Sequence, residues 1–370
     1  MPLRGFFSTT YVKSEEALLF LLHGPTSFKV ELINTVGGYV LKLSVLDQSV
    51  ISKGATAPTA LRNTLKLAQL TEELGYTRFW VAEHHNSNGI AGSSPEVLIS
   101  HIASCTKQII VGSGGVLLPQ YSPYKIAENF KVLEALFPNR IDLGIGRSPG
   151  GAATTRIALT DGLRKSLNEF PRQIRDLQAF LRNDVPADHP YESVHAYPVS
   201  SRVPDIWMLG ITHRGARLAA EYGTAFTYGH FITPVNGQSA LNFYYENFQP
   251  SPLLKKPKAN VCVFVVCAST QEKAEELALS QDMWLLAIEK GLDTQIMSIE
   301  EAKRIPLTSA DIVKIQENRK RMIIGTPQKV KEDILRLSER YRTDEFMIIN
   351  NVYNFQDKME TYTLLAEAFL

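Results

Sequence analysis

An acid and two histidines stand side by side at residues 83 to 85, directly after a short apolar run. The run, Phe79 to Ala82, has the β-branched and aromatic composition of a buried strand, and Glu83, His84 and His85 follow it at once. A neutral imidazole near pH 7 can take or hold a proton, and imidazole and carboxylate are also metal ligands. The segment therefore indicates acid–base chemistry or a metal site at the end of a strand.

The spacing does not favour the metal site. Adjacent residues rarely bind one ion together, the helical HExxH pattern is absent, and the remaining histidines have no ligand-like cluster around them. Cys105, Cys262 and Cys267 are too scattered for a disulfide framework or a zinc site, and their apolar contexts predict burial. We expect no metal.

Alternating strands and helices would position these side chains. From Leu41 onward, eight strand-like apolar runs alternate with amphipathic helical stretches, which predicts an α/β protein with a (β/α)8 TIM barrel; an open doubly wound sheet is the alternative. The predicted strands are Leu41 to Leu46, Thr77 to Ala82, Ile109 to Leu117, Arg140 to Ile145, Asp205 to Leu209, Thr224 to Tyr228, Asn260 to Val266 and Glu345 to Ile349. Predicted helices include Thr59 to Leu74, Pro123 to Leu136, Asn168 to Leu181, Thr212 to Tyr222, Gln271 to Ile288 and Pro327 to Arg340.

Two segments depart from the alternation. Residues 291 to 324 are too long for a simple connection and predict an insertion between strands 7 and 8, either a lid over the pocket or a surface excursion packed against the barrel wall. Residues 1 to 40 predict an N-terminal extension without the features of a signal peptide. The extension is a terminal elaboration, a poorly ordered segment or sequence translated from a start placed too early. Residues 41 to 370 are then a single barrel domain.

Composition excludes several classes of protein. The chain has 370 residues, 44% of them hydrophobic, and a formal net charge of +1, which gives no basic footprint for nucleic acid. No apolar run reaches the roughly 18 to 20 residues that span a bilayer. We expect a cytoplasmic enzyme without nucleic-acid or membrane partners.

Five segments along the predicted barrel together resemble the bacterial luciferase-like family of flavin-dependent monooxygenases. They occur in the family's order, from about residue 41 to the C-terminus, and no single one would suffice. The segments are Leu43 to Ser49, Trp80 to His85, Ile110 to Pro119, Arg140 to Arg147, and Ile324 to Pro327 before the last predicted helix.

The resemblance assigns roles around a flavin. It places His84 as the catalytic histidine facing the ring, and the pair Gly114 and Gly115 at a non-proline cis peptide beneath the ring. Glycine allows such a close backbone approach. Arg147 matches the arginine that contacts the flavin phosphate. Its alternative role is an ion pair at the barrel rim.

The turn after the fifth strand should complete the phosphate site. Backbone N–H groups at the start of a helix bind anions, and Thr212 is the expected cap. The residues of this turn are Gly210, Ile211, Thr212, Arg214 and Gly215.

Further polar residues at the ends of the strands should line a substrate pocket. Each either contacts substrate or forms hydrogen bonds at the barrel mouth. They are Gln48, Ser49, Glu83, His85, Tyr228, His230 and Asn350, with Asn351 beside the last.

The resemblance implies a monooxygenase that uses reduced FMN, supplied by a separate flavin reductase, and O2. A flavin hydroperoxide would then oxygenate a small organic substrate. It also implies a homodimer. Two alternatives remain open: a deazaflavin-dependent oxidoreductase, and a barrel protein that binds FMN without turnover.

Overall fold

The computed structural model describes residues 35–36, 39–148, 150–200 and 202–370. The predicted extension of residues 1–40 lies outside the described residues, except for a two-stranded antiparallel ribbon, β1 (Thr35–Val36) with β2 (Tyr39–Val40). That residues 41–370 are a single domain stays a prediction.

Eight parallel strands close into a barrel, which confirms the predicted TIM-barrel fold. The barrel strands are β3 (Lys42–Asp47), β4 (Arg78–Val81), β5 (Ile110–Val116), β6 (Ile141–Ile145), β7 (Asp205–Gly210), β8 (Ala225–Gly229), β9 (Ala259–Cys267) and β11 (Glu345–Ile349); β10 (Met322–Gly325) is a ninth parallel strand outside the ring. Each barrel strand pairs with the next barrel strand along the chain, and β11 pairs with β3 to close the ring.

Helices cover the outside of the barrel and bury its outward-facing side chains in one continuous apolar core. Several of them begin at a Ser, Thr or Asn whose side chain accepts a hydrogen bond from the first turn. The helices are α1 (Ala57–Glu73), α2 (Pro95–Ser104), α3 (Pro123–Leu136), α4 (Ala153–Leu159), α5 (Phe170–Arg182), α6 (His213–Glu221), α7 (Gly237–Asn247), α8 (Gln271–Lys290), α9 (Ile299–Arg304), α10 (Ser309–Arg319), α11 (Pro327–Tyr341) and α12 (Phe355–Phe369).

The insertion between the seventh and eighth barrel strands is present and contains α9, α10 and β10. Sequence reasoning missed β10, which pairs with the carboxyl half of β9 outside the closed ring, and it also missed α12, the true last helix. The insertion packs against α8 through Met283, Leu286, Met297 and Ala302. Because residues 291–321 do not line the cavity described below, the structure favours the packed excursion over the lid.

A buried ionic cluster fills the barrel interior at the amino ends of the strands. Arg78 binds Asp142 at 2.6 Å and Glu345 at 2.8 Å, and all three side chains are almost fully buried. Trp80 Nε1 and Trp207 Nε1 both donate to Asp142, at 2.9 and 3.2 Å. Since every charge in the cluster has a partner, it closes this end of the barrel without an unpaired buried ion.

Candidate functional site

The opposite end of the barrel holds a cavity of about 660 Å³. Active sites of TIM barrels lie at this face, where the strands end. Most of the lining is apolar, with side chains such as Leu46, Trp80, Met208, Leu209 and Met347. Of the predicted site residues, the cavity is lined by Gln48, Glu83, His84, His85, Gly114, Gly115, Arg147, Gly210, Ile211, Thr212, Arg214 and Gly215.

Gly114 and Gly115 form part of the cavity wall, and the peptide bond between them is cis, as predicted. A Cβ atom on Gly115 would lie 2.7 Å from the carbonyl oxygen of Gly144, and one on Gly114 would lie 2.5 Å from Leu46 Cδ1. No side chain fits at either position without movement of its neighbours. The bare backbone therefore leaves a surface against which a planar group can lie.

His84 follows β4 at the edge of the cavity. Its backbone N–H donates to the Gly92 carbonyl at 2.9 Å, which fixes the loop, while its buried Nδ1 has no hydrogen-bond partner. Burial, and then the neighbouring His85, lower the pKa of His84 to about 4. The side chain is therefore neutral near pH 7, and as part of the cavity wall it could exchange a proton with a ligand.

Glu83 is held by three donors. His85 Nε2 lies 2.7 Å and the Tyr121 hydroxyl 2.5 Å from Glu83 Oε1, and the Leu117 backbone N–H donates to Oε2 at 2.8 Å. Through these three partners, the Glu83 carboxylate links the ends of β4 and β5. His85 is held on the Glu83 side, which leaves His84 as the histidine of the pair with an unpaired nitrogen.

Arg147 and Arg214 lie at one side of the cavity without a carboxylate partner among the described residues. Arg147 Nε makes one long hydrogen bond, 3.4 Å, to the Leu167 carbonyl. Burial and the nearby charge of Arg214 lower the pKa of Arg147. These two cations repel each other, and no acid lies between them. A bound anion would therefore stabilise this arrangement.

The turn between β7 and α6 lies next to these arginines. Gly210 and Gly215 pack so closely that a Cβ atom on Gly215 would lie 3.1 Å from Gly210 Cα. Thr212 is the N-cap residue, as predicted, but its side chain makes no capping hydrogen bond. The start of the helix, which attracts anions, is therefore not covered by that side chain.

Four residues predicted to line the pocket lie outside it. Ser49 bonds to Thr64 and lines a separate cavity, and Asn350 donates to the Val265 carbonyl. Tyr228 faces the helices rather than the barrel interior, and its hydroxyl donates to the Thr233 carbonyl. His230 pairs with Tyr341. The prediction for these four is corrected. Tyr228 points away from the cavity because alternate residues of a strand face opposite sides. The other three follow the ends of their strands, and the hydrogen bonds given above hold their side chains outside the cavity.

A family model described as luciferase-like monooxygenase matches residues 41–344. The chain belongs to the luciferase-like monooxygenase family. Two Bacillus subtilis proteins are similar: YceB, 52% identical over 90% of this chain and 100% of its own, and N-acetyl-S-alkylcysteine monooxygenase, 37% identical over 90% and 99%. The crystal structure of apo-MsnO8 is 33% identical, covers 89% of this chain and 98% of its own, and has a TM-score of 0.81.

Two more distant structures share the fold of this luciferase-like monooxygenase. One is the oxygenating constituent of 3,6-diketocamphane monooxygenase from Pseudomonas putida in complex with FMN, with a TM-score of 0.63, 18% identity and coverage of 89% and 98%. The other is an F420-dependent secondary alcohol dehydrogenase, with a TM-score of 0.63, 14% identity and coverage of 90% and 100%. The fold thus occurs with both kinds of flavin.

Sequence reasoning missed several residues in and around the cavity. Thr227, inward-facing on β8, lines the cavity with a buried hydroxyl that has no partner, and Phe231 and Met347 contribute apolar walls. Tyr121 reaches Glu83 from the turn after β5. Period-two alternation along β8 could have identified Thr227, whereas nothing local to Tyr121 indicates its partner.

Among the described residues, no group of three His, Cys, Asp or Glu side chains could hold a metal ion. Cys262 and Cys267 are buried, but Cys105 is exposed, so its predicted burial is wrong; it follows the last turn of α2 on the protein surface. Within the described residues, none of the helices could cross a membrane.

Proposed function

We propose that this luciferase-like monooxygenase binds reduced FMN and uses O2 to oxygenate a small organic substrate. One observation carries the proposal: a single cavity holds a pair of arginines without acids at one side and a neutral histidine with an unpaired nitrogen at another. The first feature suits a phosphate group, and the second suits proton exchange with a reacting ligand.

The described residues fit FMN. Arg147, Arg214 and the turn from Gly210 to Gly215 would hold the phosphate, and the bare backbone of Gly114 and Gly115 would lie against the ring. When bound and reduced, FMN would supply two electrons to O2, so that one oxygen atom enters the substrate and the other leaves as water.

The chain's own residues would orient the reactants and control protons. The imidazole of His84 would accept or return a proton at the ligand, and the hydrogen bonds from Tyr121 and the Leu117 backbone to Glu83 hold the loop that carries His84. The apolar lining, including Leu46, excludes water that would otherwise compete for the reactants.

Oxygen labelling tests the proposal. Purified protein with excess reduced FMN, supplied by a separate flavin reductase, is given ¹⁸O2 and a panel of aldehydes, ketones, thioethers and aromatics; N-acetyl-S-benzylcysteine is included because a 37% identical relative is named for such substrates. We expect one ¹⁸O atom in a product. His84→Asn should keep FMN affinity within about threefold but lower product formation roughly 10²- to 10⁴-fold.

The alternatives give different results. A deazaflavin enzyme would bind the deazaflavin F420 in preference to FMN and oxidise or reduce substrates without O2. A flavin-sequestering protein would bind FMN tightly and give no labelled product from any substrate in the panel. Either result would contradict the monooxygenase proposal.

We also propose a homodimer formed through α2 and α3. Val97, Val132 and Leu136 on these helices are 68%, 45% and 60% exposed, and neighbouring exposed apolar side chains mark protein contacts. Sedimentation at micromolar concentration should show a dimer, and Leu136→Glu should shift it to a monomer. A monomeric wild type would refute this assembly.

A further inference from the structure

A chain of three buried amides runs from α8 to the cavity. Gln281 on α8 accepts the backbone N–H of Asn351 at 3.0 Å, and Asn351 Nδ2 donates to Gln48 Oε1 at 2.7 Å. Gln281 and Asn351 are fully buried, and Gln48 is 6% exposed and lines the cavity. Gln48 is therefore a polar group held in place from outside the cavity.

The contact with Asn351 leaves the Nε2 end of the Gln48 amide for a ligand. Gln48 Oε1 accepts from Asn351, and Nε2 is not among the buried side-chain atoms without a partner, so its two donors are open to the cavity. A ligand with a hydrogen-bond acceptor at this point would replace water at Nε2 and keep it hydrogen-bonded. A ligand without an acceptor would leave the donor unpaired, at a cost of about 1 to 3 kcal/mol.

Gln48 lies across the barrel mouth from the arginine pair. In the ring of eight strands, β3 and β11 are neighbours, and they are diametrically opposite β6 and β7, which precede Arg147 and the turn at Gly210. A flavin with its phosphate at β6 and β7 and its ring on Gly114 and Gly115 of β5 leaves the side of β3, β9 and β11 free. Gln48 lies on that side, which suits the substrate.

The Gln48 side of the cavity carries no charge. Its described lining residues on β3, β9 and β11 are Leu46, Cys262 and Met347. Lys358 on α12 lines a different cavity, where it pairs with Asp47 at 2.5 Å. A carboxylate here would be desolvated without a counter-ion, so the site suits a neutral acceptor.

We propose that Gln48 Nε2 binds a neutral carbonyl oxygen of the substrate, as in a ketone, ester or amide, and that Asn351 is the positioning residue. The proposal rests on the proposed function, since it takes the occupant of this side to be the substrate. It makes Gln48 a specificity-determining residue.

Matched ligands test this directly. Protein saturated with oxidised FMN, which cannot turn over, is titrated with acetophenone and with ethylbenzene, which has the same shape without the carbonyl, by saturation-transfer NMR. Gln48→Met should lower the affinity ratio of acetophenone to ethylbenzene about tenfold, because one hydrogen bond of roughly 1.4 kcal/mol is lost. Ethylbenzene affinity should not change.

Gln48→Glu provides a second variant that keeps the shape and can still accept from Asn351. It turns a carboxylate oxygen towards the cavity, so the affinity ratio should fall at least as far as in Gln48→Met. Ser49→Ala, next in the chain but outside the cavity, should leave the ratio unchanged.

The outcomes separate the two proposals. An affinity ratio within about twofold of wild type in both Gln48 variants, or no binding of either probe to wild type, overturns the role of Gln48. Failure of the protein to bind FMN overturns the proposed function instead. In that case the affinity ratio of the two probes is measured on the FMN-free protein, and that ratio tests the role of Gln48 independently.

Discussion

The hydroxyl of Tyr121 donates to Glu83 Oε1 at 2.5 Å and so joins the ends of two neighbouring barrel strands. Glu83 follows β4, and Tyr121 follows the short helical turn Leu118–Gln120 after β5. The carboxylate is only 1% exposed, so this hydrogen bond to a charged group is protected from water. It also lies beside the histidine proposed to exchange protons.

Removing the Tyr121 hydroxyl should destabilise the barrel. Tyr121→Phe leaves Glu83 with two donors, and we expect the free energy of unfolding to fall by about 1.5 to 3 kcal/mol in urea titrations, the worth of a hydrogen bond to a charged group. Tyr124→Phe is the matched control, since that hydroxyl bonds to Glu128 within one helix, and a change under about 0.5 kcal/mol is expected. Equal losses of stability in the two variants would show that the hydrogen bond between Tyr121 and Glu83 contributes nothing.

The buried histidines should make the protein less stable in acid. Burial lowers the pKa of His84 to about 4, whereas an unfolded histidine titrates near 6.5. As the pH falls from 6.5 to 4, the unfolded chain therefore binds a proton that the folded chain rejects, and stability is lost. His84→Asn should flatten this loss in unfolding curves measured at pH 7, 6, 5 and 4.

A comparison of three histidines checks the assignment. Burial and Arg340 lower the pKa of His230 to about 4 as well, so His230→Asn should flatten the same pH range. His101 is exposed, and His101→Asn should leave the pH dependence as in wild type. If all three variants behave alike, the pH dependence has another origin.

The arginine pair should distinguish FMN from riboflavin, which lacks the phosphate. Arg147→Met should weaken FMN binding about 10- to 100-fold in fluorescence titrations, because a charged hydrogen bond is worth roughly 1.5 to 3 kcal/mol. Riboflavin affinity should not change. Arg175→Met, an exposed arginine on α5, is the control. A parallel loss of riboflavin binding would mean that Arg147 does not bind the phosphate.

Two neighbouring glycines of the cavity should respond differently to a methyl group. Gly115→Ala places Cβ 2.7 Å from a backbone oxygen that cannot move aside, so a loss of about 1 to 3 kcal/mol in stability is expected from overpacking. At Gly146 the nearest atoms are 4.0 Å away, and Gly146→Ala should be close to neutral. Thermal unfolding of both variants tests this prediction, and equal melting temperatures would contradict the packing argument.

Sequence periodicity was sufficient for the barrel because each barrel strand carries its own signal. Apolar runs bounded by polar residues mark all eight of them, but β10 has only four residues and was read as the end of the insertion. Its strand character comes from pairing with Phe264 to Cys267 on β9, far away in the chain. Because such a short strand depends on its partner, the local sequence gives little indication of it.

The site was predictable where a motif follows a strand directly, as at His84, and less so where the direction of a side chain matters. Tyr228 was placed in the pocket, whereas its inward-facing neighbour Thr227 lines it. The partner of Gln48 comes from β11, and the partner of Asn351 comes from α8. Such contacts join residues about 70 and 300 positions apart, so local pattern could not reveal them.

The ionic cluster of Arg78, Asp142 and Glu345 closes the amino end of the barrel. No molecule can pass along the barrel axis, so any ligand of the cavity must enter and leave on the side where the strands end. Flavin, substrate and product, bound as proposed, would all be exchanged through that one face of the protein.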